Sequence, residues 1–109
     1  MKILRMDRGN GKTFHLIKLS AILDSPIICA TEQSKKYILD KAREMWLEIP
    51  EPIVVNRNNF EIVMRGRNTD LLIDDLELVL KGLFGSDVVV ATTSESVLEF
   101  QMGEWFDDI

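Results

Sequence analysis

The sequence predicts an α/β domain of three layers, in which helices cover both faces of a mainly parallel sheet. Short apolar runs alternate with segments of helical periodicity, which is typical of strands joined by crossover helices. The run PIICAT at 26–31 is continuously apolar, as expected for a strand buried on both faces. The 109 residues are enough for one domain with its own core, and no linker divides them. We therefore expect a single domain over 1–109.

The first half of the chain predicts two strands, each followed by a helix. KILRM at 2–6 reads as a short strand, and the helix over 12–23 is apolar around most of its surface. The run at 26–31 follows an Asp-Ser-Pro break and predicts the second strand. Residues 34–47 predict an amphipathic helix that ends before the prolines at 50 and 52. Its apolar face carries Ile38, Ala42 and Met45.

The second half predicts shorter elements separated by glycine and proline. In chain order we expect a strand at 53–55, a helix at 59–65, a strand at 70–74 (DLLID), a helix at 76–83 ending before Gly85, a strand at 87–91 (DVVVA) and a last strand at 97–101. The tail covers 97–109, and the part that follows this last strand is expected to fray.

Composition limits the function classes. Hydrophobic residues make up 46% and charged residues 28%, the profile of a globular protein, and no apolar run is long enough to span a bilayer. The lone Cys29 has no disulfide partner, which fits a cytoplasmic location. The net charge of −5 argues against coating nucleic acid by bulk electrostatics, so a DNA contact would need a local basic patch.

The stretch RMDRGNGKT at 5–13 is a glycine-rich loop between the first strand and the first helix. Glycines let consecutive backbone N–H groups turn around phosphates, and the helix N-terminus adds a favourable partial charge. Lys12 would reach the β- and γ-phosphates of a nucleotide, and the Thr13 hydroxyl would hold Mg²⁺. The alternative is a plain turn with an exposed lysine. The predicted phosphate-binding residues are Arg8, Gly9, Asn10, Gly11, Lys12 and Thr13.

Two adjacent carboxylates follow the predicted strand at 70–74. Asp74 would emerge at the carboxyl edge of the sheet, where ligands bind in open α/β folds, and we expect it to hold Mg²⁺. Asp75 has two interpretations. It is either the general base that orients an attacking water molecule or the N-cap of the next helix.

RGNGKT at 8–13, LLIDD at 71–75 and VVVATTS at 88–94 together resemble the P-loop NTPases, in particular the additional-strand class of RecA-type helicase cores and phage terminase motors. The resemblance covers nearly the whole chain. It implies ATP with Mg²⁺, Asp74 as the magnesium aspartate and Asp75 as the catalytic carboxylate. It also implies a γ-phosphate sensor at Thr92 and Thr93, which join Lys12 and Asp75 as the expected catalytic residues. The compact size suggests a phage or mobile-element origin.

Two departures from the family pattern affect binding and hydrolysis differently. Met6 stands where the family has its first loop glycine, but Gly9 and Gly11 still supply the permissive positions, so we expect binding to survive. Asp75 replaces the usual glutamate and is one methylene shorter. Hydrolysis should therefore suffer more than binding.

Two functions follow. The first is a slow ATPase that works as a homo-oligomer or with a protein partner, with DNA as one candidate substrate. The second is a non-hydrolysing module in which nucleotide orders an interaction surface. No guanine-reading stretch is present, so ATP is favoured over GTP. Arg65 and Arg67 flank Gly66 in a loop. They are an arginine finger for a neighbouring subunit, a phosphate patch or simply solvated.

Five other residues are assigned to structure. We expect His15 and Cys29 to be packed, and Thr31 to lead the second helix. Trp46 and Trp105 are most simply packing residues.

Overall fold

The computed structural model describes residues 1–6 and 11–100 as alternating strands and helices. In chain order the elements are β1 (Ile3–Met6), α1 (Lys12–Leu23), β2 (Ile27–Cys29), α2 (Glu32–Glu44), β3 (Ile53–Val54), α3 (Phe60–Met64), β4 (Leu72–Ile73), α4 (Leu76–Phe84) and β5 (Val97–Phe100). The expected α/β class is confirmed, and the bounds of α1 coincide with those expected from the sequence.

The strands form two parallel sheets instead of the single sheet expected. One has three strands in the order β3-β2-β4, and the other pairs β1 with β5. In the larger sheet Ile28 lies beside both Ile53 and Ile73. In the smaller sheet Ile3 pairs with Val97, and the last strand expected at 97–101 is confirmed over 97–100, while residue 101 lies outside the described residues. Every strand pair within the described residues is parallel, as the alternation of strands and helices predicts.

The central strand β2 contributes to two separate core clusters. Ile27 and Cys29 pack with Ile17 of α1 and with Ile38 and Ala42 of α2. The intervening residue of β2 joins the second cluster, because successive side chains of a strand point to opposite faces. That cluster comprises Ile28, Ile53, Val55 and Val79, with Val63, Met64 and Leu83 packed against it. The prediction that β2 is buried on both faces is confirmed.

Helix α2 begins at a side-chain cap, and an exposed tryptophan follows its C-terminal end. Thr31 Oγ1 accepts a hydrogen bond from the Ser34 N–H at 3.0 Å, so the structural interpretation of Thr31 is confirmed. At the other end the Leu47 N–H reaches the Ala42 carbonyl, and the Trp46 N–H reaches the Arg43 carbonyl. This is the Schellman pattern, and it stops the helix at Glu44, three residues before the expected end.

Two expectations from the sequence are wrong. Residues 87–91 form no strand, and the Val89 and Val90 side chains are 89% and 81% exposed. Strand-forming residues need a neighbouring strand, and within the described residues neither β4 nor β1 pairs with them. Trp46 is no packing residue, because it is 95% exposed. Trp105 lies outside the described residues. No helix in the described part of the chain is long and apolar enough to cross a membrane.

Candidate functional site

The N-terminus of α1 is open to an anion. Gly11 occupies the N-cap position at φ 88°, a left-handed conformation that glycine adopts without strain. The N-cap Gly11 makes no side-chain capping bond, and the first turn has no acidic residue, whereas the first turns of α2, α3 and α4 each have one. The first backbone N–H groups of a helix lack intrahelical partners and attract negative charge. Lys12 is exposed beside them, and Thr13 is half-buried. The predicted loop residues Arg8, Gly9 and Asn10 lie outside the described residues.

Asp74 stands directly after β4, where the sequence places it. Its N–H donates to the Ile28 carbonyl at 2.9 Å, which holds this residue against β2. Burial, and secondarily the charge of Asp75, raises the pKa of the Asp74 carboxyl, while the charge of Lys12 lowers it. Lys12 is therefore close enough to act on Asp74 electrostatically. The charge of the loop lysine thus reaches the strand-end carboxylate although the two residues are far apart in sequence.

Asp75 occupies the N-cap position of α4 without capping it. Its φ and ψ are 61° and 78°, a left-handed conformation that is uncommon outside glycine, and its side chain makes no capping hydrogen bond. Its carbonyl accepts from the Val79 N–H at 3.1 Å, which closes the first turn of the helix. The carboxylate itself is exposed. A strained backbone conformation that no local side-chain hydrogen bond stabilises is often found at functional positions.

The side chains at this edge are chemically suited to Mg²⁺. Thr13 offers a hydroxyl and Asp74 a carboxylate, and both are the hard oxygen ligands that Mg²⁺ prefers. Such ions are commonly held by one or two carboxylates together with substrate phosphates. Within residues 1–6 and 11–100 no group of three or more His, Cys, Asp or Glu side chains forms a cage for a metal.

Thr92 and Thr93 stand apart from this arrangement. Both are exposed in the non-strand segment that precedes β5. The Thr93 Oγ1 accepts from the Glu95 N–H at 3.0 Å, which is a local turn contact. No contact within the described part of the chain joins either threonine to Lys12 or Asp74. Their sensor role stays a prediction.

His15 and Cys29 are packed, as expected. His15 is 6% exposed, and burial together with Lys18 lowers its pKa to about 4, so the ring is neutral at physiological pH. Cys29 is fully buried, and burial, followed by the nearby charge of Asp74, raises its pKa to about 11. The thiol is therefore protonated and a poor nucleophile.

A second concave region, here called the edge pocket, lies along the outer edge of β3. Its volume is about 480 Å³, and its lining includes Lys35, Pro52, Ile53, Ile62, Arg65 and Arg67. The sequence singles out the two arginines because they flank Gly66. It does not indicate Lys35 or Ile62, since no linear motif joins them to the arginine loop. The pocket shares no lining residue with the Lys12–Asp74 site.

Comparison with known proteins yields no relative. No family model, no curated protein sequence and no solved structure matches the chain. A functional assignment therefore depends on the chemistry of the two sites.

Proposed function

We propose that the chain binds a nucleoside triphosphate, with ATP preferred, together with Mg²⁺ at the N-terminus of α1. One arrangement carries the proposal: Gly11 opens α1 directly before Lys12 and Thr13, and Asp74 is held at the end of β4, where the charge of Lys12 acts on its carboxyl. A glycine turn with an exposed lysine does not by itself require a strand-end carboxylate from the other half of the chain within electrostatic reach. A phosphate–magnesium site requires that match, because the lysine and the metal act on the same phosphates.

Each residue at this edge has a distinct role in the proposed complex. The first backbone N–H groups of α1 and the Lys12 ammonium would contact the β- and γ-phosphates. Thr13 and Asp74 would hold Mg²⁺, which supplies charge neutralisation at the phosphates. Asp75 would orient water with a carboxylate that no capping bond engages. Two core clusters, one with α1 and α2 and the other with α3 and α4, support a three-layer P-loop-like fold.

For the outcome of binding we propose slow ATP hydrolysis that depends on a second molecule of the chain or on a partner. The short side chain of Asp75 supports low intrinsic activity. A non-hydrolysing module is the second candidate. It is favoured by the hydrogen bond that Thr93 Oγ1 accepts from the Glu95 N–H, because this bond occupies a predicted γ-phosphate sensor in a local turn. The lone buried thiol of Cys29 supports a reducing compartment such as the cytoplasm.

The direct test is a titration of a fluorescent ATP analogue, with Mg²⁺ present, against the parent protein and Lys12→Ala. We expect the variant to lose binding at least tenfold with an unchanged melting temperature, because Lys12 is exposed. Lys36→Ala is the matched control, since Lys36 is also exposed and its loss changes the net charge equally. Equal affinity of Lys12→Ala and the parent would reduce the glycine loop to a turn.

A further inference from the structure

The edge pocket has the size of a binding site and lies where the larger sheet ends. Its volume of about 480 Å³ falls within the roughly 300–1,000 Å³ of typical ligand pockets. Ile53 of the edge strand β3 forms part of its wall, and Ile62 of α3, which is 73% exposed, forms another part. The pocket therefore combines an apolar wall with the charged groups of α2 and the arginine loop.

The charges in the pocket leave a positive excess. The Lys35 Nζ and Glu51 Oε1 pair at 2.8 Å and neutralise each other. Glu32, at the start of α2, adds a second carboxylate to the lining, so two glutamates stand against one lysine and two arginines and the net charge of the pocket is +1. Arg65 and Arg67 form no ion pair with any residue in the described ranges. The pocket is thus slightly positive in a chain whose net charge is −5, and within the described ranges no carboxylate pairs with its two guanidinium groups.

The loop that carries the arginines is pre-organised. Gly66 adopts φ +73°, and the Arg67 N–H donates to the Met64 carbonyl at 3.2 Å. The Arg67 Nε donates to the Val63 carbonyl at 2.7 Å, which fixes the side chain against α3. Both terminal nitrogens of that guanidinium remain available as donors. Binding by a fixed arginine loses less conformational entropy than binding by a free one.

We propose that the edge pocket binds the phosphodiester backbone of a single nucleic-acid strand. Arg65 and Arg67 contact phosphates of the strand, and the exposed Ile62 contacts a sugar between them. Guanidinium groups suit phosphate because their planar forks donate two parallel hydrogen bonds. A duplex carries denser charge, so the net negative surface repels it more strongly than it repels a single strand. This site is independent of the proposed nucleotide site.

The test measures fluorescence anisotropy of a labelled 12-nucleotide oligothymidine in low salt, for the parent and for Arg65→Gln/Arg67→Gln. We expect at least a tenfold loss of affinity and a salt slope smaller by about 1.4, at roughly 0.7 per phosphate contact on a single strand. Lys2→Ala/Lys36→Ala removes the same charge from two exposed lysines outside the pocket and should bind nearly as the parent does.

Further arms separate the pocket from general charge. Ile62→Glu puts a carboxylate at an exposed position of the pocket, so it should weaken binding without affecting folding. Lys12→Ala should bind the oligonucleotide like the parent, which separates this proposal from the nucleotide site. Three results would overturn the proposal: no binding by the parent, an equal loss in the lysine control, or displacement of the oligonucleotide by polyglutamate of equal charge. The last result would indicate an acidic protein ligand.

Discussion

At the scale of single residues, three non-glycine residues of the described chain have positive φ. They are Asp24, Trp46 and Asp75. Asp24 ends α1, and aspartate tolerates this conformation better than most residues. Asp75 stands in the proposed site. Trp46 is neither an aspartate nor part of the proposed site. It is a bulky residue at the C′ position of α2, where glycine is favoured, and its side chain is almost fully exposed. The backbone of Trp46 is therefore strained, and burial of its side chain does not offset this cost.

Trp46→Gly should stabilise the protein. Glycine relieves a left-handed strain of roughly 1–2 kcal/mol and loses part of that gain through unfolded-chain entropy, leaving an expected rise of about 0.5–1 kcal/mol. Urea unfolding followed by circular dichroism measures the change. Trp46→Ala is the control, since it keeps a Cβ and hence the strain, and should be nearly neutral. A clear loss of stability in Trp46→Ala would mean that the indole packs.

Asp74→Asn should raise the stability of the folded protein while weakening the magnesium-dependent binding of ATP. The pKa of Asp74 is raised in the folded protein, so ionising this carboxyl opposes folding. That cost is present at neutral pH and fades as pH falls through the folded pKa towards 3.8, the ordinary value. Melting temperatures across this range should show the variant more stable at pH 7 and the difference shrinking with acid. A variant less stable than the parent at pH 7 would contradict the raised pKa.

The same substitution should reduce the magnesium dependence of ATP binding more than binding without metal. An amide keeps the shape of the side chain but loses the charge that attracts a hard cation. Titrations of the ATP analogue with Mg²⁺ and with EDTA measure this difference. Asp70→Asn, at an exposed position before β4, is the charge-matched control. If the parent itself binds ATP equally well with and without magnesium, Asp74 has no metal role.

At the scale of elements, α4 and the valine-rich segment that follows it have opposite relations to the core. Val79 of α4 is 2% exposed and packs with Ile28, Ile53 and Val55. The helix ends at Gly85, whose φ of 74° allows its N–H to reach the Lys81 carbonyl. Beyond that turn Val89 and Val90 are exposed. Equal chemical types in neighbouring segments therefore contribute very differently to stability.

Substitutions in these two segments should separate the contributions. Val79→Ala should cost about 2 kcal/mol, because it removes buried methyl groups and leaves a cavity. Val89→Ser should change the free energy of unfolding by less than about 0.5 kcal/mol, as surface substitutions usually do. Denaturant titrations of both variants against the parent provide the measurement. A cost above about 1 kcal/mol for Val89→Ser would show that residue 89 is packed in solution.

At the scale of the whole molecule, the proposed site looks incomplete for fast catalysis. Asp75 is short, and small misplacements of an attacking water are costly in rate. Among the described residues Arg65 and Arg67 line the separate edge pocket. An arginine finger from another molecule is worth roughly 10³–10⁵ in rate. Any hydrolysis at the proposed site should therefore be faster in an assembly than in a monomer.

The chain should hydrolyse ATP far more slowly than the enzyme median of about 10 per second. Turnover per molecule should rise with protein concentration if a second copy completes the site. Phosphate release, measured from nanomolar to high micromolar protein, tests this, with Lys12→Ala as the inactive control. Fast turnover strictly proportional to protein at nanomolar concentration would contradict the prediction, since a monomer would then supply every catalytic group.

Much of the fold followed from local sequence. The bounds of α1, the burial of β2 and the stop of α4 at Gly85 all coincide with prediction. Helix periodicity, a continuous apolar run and a glycine turn are properties of neighbouring residues, so the sequence alone determines them. The candidate residues Lys12, Thr13, Asp74 and Asp75 were identified in the same way, from a loop and a strand end.

Only the tertiary structure decided which of these pieces meet. Strand propensity at 87–91 produced no strand, because pairing needs a neighbour that no local pattern supplies. The influence of Lys12 on Asp74 and the assembly of Lys35, Ile62 and two arginines around one pocket likewise link segments that are distant in sequence. Local sequence sets the conformational preferences of a segment, whereas long-range packing sets its neighbours, burial and electrostatic surroundings. A site composed of several segments is therefore a property of the fold.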